Sequence, residues 1–107
     1  MIKPEEILEL IETSRETGKI RKGINEATKA AERAIAKAIV VADDVDPKEI
    51  IMHLTPLCEE KNIPLFSVPS KSELGRAAGI DVSSAAIAIL DAGEAKKKLK
   101  DIEQKKE

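Results

Sequence analysis

The sequence predicts an α/β domain: a three-layer α/β/α sandwich with a mixed four-stranded sheet. Three observations carry this expectation. Segments with apolar residues at helical spacing alternate with short β-branched runs almost from end to end, as they do when helices cover both faces of a sheet. The run Ala38-Ile39-Val40-Val41-Ala42 is apolar at every position, as expected of a central strand buried on both faces. Helix starts and stops are marked at the joints by Pro, Gly, Ser, Asp and Asn. At 107 residues the chain is read as one domain over 1–107, large enough for a core without staples, with no internal repeat and a loose polar tail.

The elements follow in order. Pro4-Glu5-Glu6 starts a first helix, with Pro in the first turn and acids at the positive end of the dipole. Ile7, Leu8, Leu10 and Ile11 give it an apolar face, and Gly18 is expected to end it as a left-handed C′ residue. Lys19 to Lys22 reads as a short basic edge strand. A second helix is expected from about Glu26 to Ala34, capped by Asn25. After the central strand, Asp46-Pro47-Lys48-Glu49 predicts a third helix, with Asp46 as N-cap and Pro47 in the first position. Pro56 must interrupt that helix, because its ring clashes with the Met52 carbonyl; the expected break is at Thr55. Leu65-Phe66-Ser67-Val68 is a strand, and Ser70-Lys71-Ser72-Glu73 is a capping box opening a helix that stops before Gly79. Ile80 to Ser84 is a loop, Ala85 to Leu90 a strand of small residues, and Glu94 to about Lys105 a last helix with lysines toward its negative end.

Composition excludes several classes of function. No apolar tract approaches the 18 or so residues of a membrane span, and no secretory leader is visible at the start. One Cys and one His exclude a Cys/His zinc site, and the lone Cys58 fits a reducing cytoplasm and a buried filler role. Phe66 is the single aromatic residue, so a stacking platform for single strands is not expected. The formal net charge of −2 argues against a non-specific nucleic-acid binder. That charge is unevenly spread. Residues 15–37 are rich in Lys and Arg, whereas Asp43, Asp44, Asp46, Glu49, Glu59 and Glu60 follow.

The basic region has an internal order. Lys19, Arg21 and Lys22 precede Gly23, and a helix opens immediately after it. Unpaired N–H groups at a helix start, flanked by these residues and by Lys29 and Arg33, suit a phosphate backbone. Asn25, Glu26 and Lys29 are then placed to read base edges: an amide donates and accepts, a carboxylate accepts, and an ammonium donates. Taken without further pattern, a charge run of this kind is more often a solvated helix face.

The pattern goes further. Lys22-Gly23-Ile24-Asn25-Glu26-Ala27-Thr28-Lys29 resembles the K-G-x-N-E-x-T-K signature of the kink-turn-binding ribosomal protein family (the "L-seven-Ae" family). Ala42-Asp43-Asp44-Val45-Asp46-Pro47, then His53-Leu54, Leu57-Cys58-Glu59-Glu60-Lys61-Asn62-Ile63-Pro64, and Ser70-Lys71 with Leu74-Gly75-Arg76-Ala77 resemble the family's later motifs in unbroken order, over roughly residues 5–100. The resemblance implies an archaeal-type RNA-binding protein. Its ligand would be the kink-turn, a sharply bent RNA with tandem sheared G·A pairs, in ribosomal RNA and in box C/D and H/ACA guide RNAs. It implies that Asn25, Glu26 and Lys29 contact the guanines, that Lys22 and Gly23 approach the backbone, and that the loop Ile80-Asp81-Val82-Ser83 covers an extruded base. It implies as partners a Nop-domain protein and fibrillarin; a monomer without a cofactor is the expectation. Two departures stand out: Ile24 replaces a Thr common in archaeal members, and Ala34 stands at a helix end where the family carries Gly, so that this end is expected to fray or extend.

Two other readings use different residues. A small enzyme would need Asp43, Asp44 and Asp46 to converge on a magnesium ion, with His53 as a base; neither a phosphate loop nor a nucleophile accompanies them. A protein-interaction scaffold of the same fold that has lost RNA binding would use the acidic third helix instead.

Overall fold

The computed structural model describes residues 2–105. They form α1 (Pro4–Thr17), β1 (Lys19–Lys22), α2 (Ile24–Glu32), β2 (Ala38–Ala42), α3 (Glu49–Met52), α4 (Leu54–Lys61), β3 (Leu65–Val68), α5 (Lys71–Ala77), β4 (Ala86–Asp91), a 3-10 turn (Gly93–Ala95) and α6 (Lys96–Lys105). The sheet order is β1-β4-β2-β3. β4 runs antiparallel to β1 and β2, whereas β2 and β3 are parallel. The expected mixed four-stranded sheet is therefore present, with basic β1 on one edge and β2 inside. Among the described residues no helix is long and apolar enough to cross a membrane.

The two-residue period of the inner strands divides the core into two layers. Ala38, Val40 and Ala42 of β2 and Ile87 and Ile89 of β4 face one side, where they meet Ile7, Leu10 and Ile11 of α1, Leu74 and Ala77 of α5, and Leu99 and Ile102 of α6. Ile39 and Val41, with Ala86 and Ala88, face the other side and meet Ala27, Ala30 and Ala31 of α2 and Leu54 and Cys58 of α4. Large aliphatic side chains thus build the first layer, and alanines carry α2 on the second.

Several local expectations need correction. Gly18 is not left-handed; its φ is −133°. A side chain is excluded there because a Cβ would run into the Asp91 carbonyl. Asn25 is not the cap of α2. The helix starts at Ile24, Gly23 holds the cap position, and no side chain caps it. At the other end, the helix neither frays nor extends. Ala34 adopts φ 57°, and the Ile35 and Ala34 N–H groups bond the Ala30 and Ala31 carbonyls, a Schellman closure made without its usual glycine. Asp46 does not cap α3, whose N-cap is Lys48, and the Asp46–Pro47 bond is cis. The break forced by Pro56 falls at His53, two residues before the expected Thr55. This places Pro56 in the first turn of α4, where a missing N–H costs no helical bond. The half of the capping box that does form has Ser70 Oγ accepting from the Glu73 N–H at 3.2 Å. The last strand begins and ends one residue later than expected, and a 3-10 turn precedes α6. The last helix ends at Lys105 as expected, with Lys105 pairing with Glu6 at 2.7 Å, and the tail expected to be loose, Lys106 and Glu107, lies outside the described residues.

Candidate nucleic-acid interface

The start of α2 is fixed by backbone, not by a side-chain cap. Gly23 has φ 99° and ψ 158°, a conformation that side-chain-bearing residues rarely adopt. A Cβ there would meet nothing within 4 Å, so the surface in front of the glycine is open. Its N–H donates to the Ala86 carbonyl at 2.9 Å, pinning the turn to the first residue of β4. Its own carbonyl accepts the first helical bond, from the Ala27 N–H at 2.9 Å. The N–H groups of Ile24, Asn25 and Glu26 are therefore left pointing out of the helix end.

Asn25 and Glu26 of the first turn, and Lys29 one turn further on, have exposed side chains. Glu26 Oε2 and Lys29 Nζ lie 3.8 Å apart, a solvent-exposed pair worth little to stability and free to open for a ligand. Beneath them Thr28 donates its hydroxyl proton to the Ile24 carbonyl at 2.7 Å. With that proton engaged, Thr28 Oγ1 accepts from the His53 Nε2–H at 2.8 Å. His53, at the α3–α4 junction, thereby braces α2 from the side. Ile24, half-buried against the second core layer, helps line an open cavity of about 510 Å³ with Asn25, Thr28, Lys29, Ile50 and His53.

The loop from Ile80 to Ser83 forms the second part of the site. Asp81, Val82 and Ser83 are exposed, Val82 at 69%. Gly75 of α5 lets the loop lie close, because a Cβ there would collide with the Val82 carbonyl. Together with Ser72 and Arg76, residues 80–83 line a cavity of about 330 Å³. The next residue, Ser84, is buried, and its Oγ donates at 3.0 Å to the same Ala86 carbonyl that holds Gly23. One oxygen thus ties the α2 start to the end of the loop. Sequence reasoning missed Ser84, Thr28 and His53 as parts of this arrangement. The available signal for Ser84 was only a small polar residue just before a strand.

The remaining basic residues are spread over a longer surface. Lys22 stands next to Gly23 and opposite Ile87, whereas Lys19 stands opposite Asp91 at the far end of β4. Arg33 follows the last turn of α2, about 13 Å from its start for nine helical residues. Asp43, Asp44 and Asp46 do not converge with a further ligand: among the described residues no three Asp, Glu, His or Cys groups come together as a metal site. Asp44 Oδ1 instead accepts the Lys71 N–H at 2.8 Å, at the start of α5.

These features define a small three-layer α/β/α domain with an open helix start beside an exposed loop. The chain belongs to the ribosomal protein L7Ae/L30e/S12e/Gadd45 family, whose model matches residues 5–99. Among solved structures it is similar to the 15.5 kD RNA-binding protein of Giardia lamblia, at 33% identity and a TM-score of 0.89, over 94% of this chain and 84% of that one.

Proposed function

We propose that the protein binds RNA at the start of α2, and that its ligand is the kink-turn. The observation that carries this is the open helix start: Gly23 leaves the backbone approachable, and Asn25, Glu26 and Lys29 stand exposed around three unpaired N–H groups. Family membership and the RNA-binding neighbour support the ligand class. In this reading Asn25, Glu26 and Lys29 read the sheared guanines. Lys19, Arg21, Lys22, Gly23 and Arg33 follow the backbone, Ile24 supports the first turn, and Ile80, Asp81, Val82 and Ser83 cover the extruded base. Ribosomal RNA and box C/D or H/ACA guide RNAs are the proposed targets, bound by a monomer in the cytoplasm. A Nop-domain protein and fibrillarin are proposed to join afterwards; exposed Ile50 and Met52 on α3 support a protein contact beside the RNA. The reading assigns no catalytic residue, metal or cofactor.

Glu26 provides the test, because an acid beside a polyanion lowers affinity unless it accepts hydrogen bonds from a base. Glu26→Ala is expected to weaken kink-turn binding by about 1–3 kcal/mol while leaving plain duplex binding level or raised. A gel-shift with a kink-turn RNA, and with a version lacking the G·A pairs, measures this. Tighter kink-turn binding by the variant would remove Glu26 as a guanine reader.

A further inference from the structure

The far end of the sheet carries a second basic site. β2 begins there, with the Lys37 N–H donating to the Ile89 carbonyl at 2.6 Å, and α6 starts beside it. Between them lies an open cleft of about 560 Å³ with Lys37, Lys96 and Lys100 on its walls and Leu99 in its floor. The lysines of α6 divide by face. Lys98 and Lys105 reach α1 and pair with Glu9 at 2.6 Å and Glu6 at 2.7 Å. Lys96 and Lys100, one helical turn apart, are exposed on the cleft, and neither they nor Lys37 has an ion pair among the described residues. Two acids also line the cleft. Asp91 already accepts the Gly93 N–H at 2.9 Å, and Glu103 lies further along α6.

We infer that this cleft holds the phosphate backbone of a stem flanking the RNA motif that α2 reads. The inference rests on the proposed function, and its basis is continuity. α2 and β1 both run from the open helix start to this end. Lys29 and then Arg33 lead down α2 toward Lys37, and Lys19 at the far end of β1 stands opposite Asp91, which lines the cleft. A backbone running from the α2 start round this end of the sheet passes Lys29, Arg33 and Lys37 before Lys96 and Lys100, with Glu32, Asp91 and Glu103 beside that path. Three lysines without bidentate partners suit phosphates, which need positive charge and no base-edge geometry. An acidic segment of a protein partner would find the same charge, but it would have no reason to follow that track.

The test uses the full chain with Lys37, Lys96 and Lys100 all changed to Gln. These are exposed positions, and circular dichroism checks that the fold is kept. Two kink-turn RNAs are compared, one with stems of about one helical turn and one trimmed to a few base pairs. The variant is expected to bind the long RNA about ten-fold or more weakly, with a salt slope smaller by about 2–3, as for three lost phosphate contacts. Binding to the trimmed RNA is expected to stay unchanged. Equal loss on both RNAs, or no loss on the long one, overturns the inference. Competition at the cleft by a poly-glutamate peptide, with long-RNA affinity intact, also overturns it in favour of a protein interface. Failure of the unaltered protein to bind even the trimmed RNA counts against the proposed function instead.

Discussion

The two faces of the sheet are built on opposite plans. Under α1, α5 and α6 the core uses Leu10, Ile11, Phe66, Leu74, Ile87, Ile89 and Ile102, and the Glu6–Lys105 and Glu9–Lys98 pairs join α1 to α6. Under α2 the contact is made by Ala27, Ala30 and Ala31 against Ala86 and Ala88, and most of the cations on that side have no ion pair among the described residues. Side-chain size at a contact sets how closely elements approach. The alanine face therefore holds α2 close enough to the sheet for Gly23 to reach Ala86. One face holds the domain together through large side chains, and the other holds a helix close to the sheet with its start open to a partner.

Opposite substitutions should separate these roles. Leu10→Ala, at a site with no solvent exposure, is expected to lose about 2–5 kcal/mol of stability through the cavity it leaves. The folded fraction should still bind RNA at normal affinity. Ala27→Leu, equally buried under α2, is expected to lose about 1–3 kcal/mol by overpacking and, in addition, to weaken RNA binding as the helix lifts from the sheet. Urea melts followed by circular dichroism give the stabilities, since the chain has no Trp or Tyr to follow by fluorescence. Normal RNA binding by folded Ala27→Leu would show that close approach of α2 is not what builds the site.

The same contrast explains what the sequence disclosed. The layers, the inner position of β2 and the basic edge were legible because burial on both faces leaves an unbroken apolar run, and alternation of elements leaves few arrangements. The exposed residues of the α2 start were legible through a long motif. Hidden were features set by contacts distant in sequence. Asn25 looks like a cap, but Gly23, anchored to Ala86, sets where the helix begins. Asp46 looks like a cap as well, yet α3 starts after Lys48. Ser84 and His53 act through partners at Ala86 and Thr28, and no local periodicity reveals such pairs.

Ser84 sharpens the comparison on a smaller scale. Its hydroxyl serves neither core layer and only joins the loop to the carbonyl that anchors α2. Ser84→Ala is expected to cost about 0.5–1.5 kcal/mol, the worth of one hydrogen bond. If the joint matters to the site, kink-turn affinity falls while duplex affinity does not. An equal small loss on both RNAs would reduce Ser84 to a packing role.

The smallest effect belongs to the ion pair between α1 and α6 on the other face. Glu6 accepts hydrogen bonds from Lys105 at 2.7 Å and from the Lys3 N–H at 3.0 Å. The Lys105 contact first, and the backbone N–H second, lower its pKa from 4.5 to about 2. A carboxyl whose folded pKa is depressed stabilises the fold above its unfolded pKa, and loses that contribution as pH falls through the folded value. The contribution of Glu6 is therefore intact at neutral pH and disappears between about pH 4.5 and pH 2. Glu6→Gln should be less stable than the unaltered protein at pH 7, equal to it near pH 2, and flatter in between. Salt should narrow the difference at pH 7, because the pair lies at the surface. RNA affinity at pH 7 should not change, since α1 and α6 meet through Glu6 on the face away from α2. Identical acid limbs for the two proteins would mean that the Glu6–Lys105 pair does not hold in solution, and Glu9 and Lys98 alone would then pair α1 with α6.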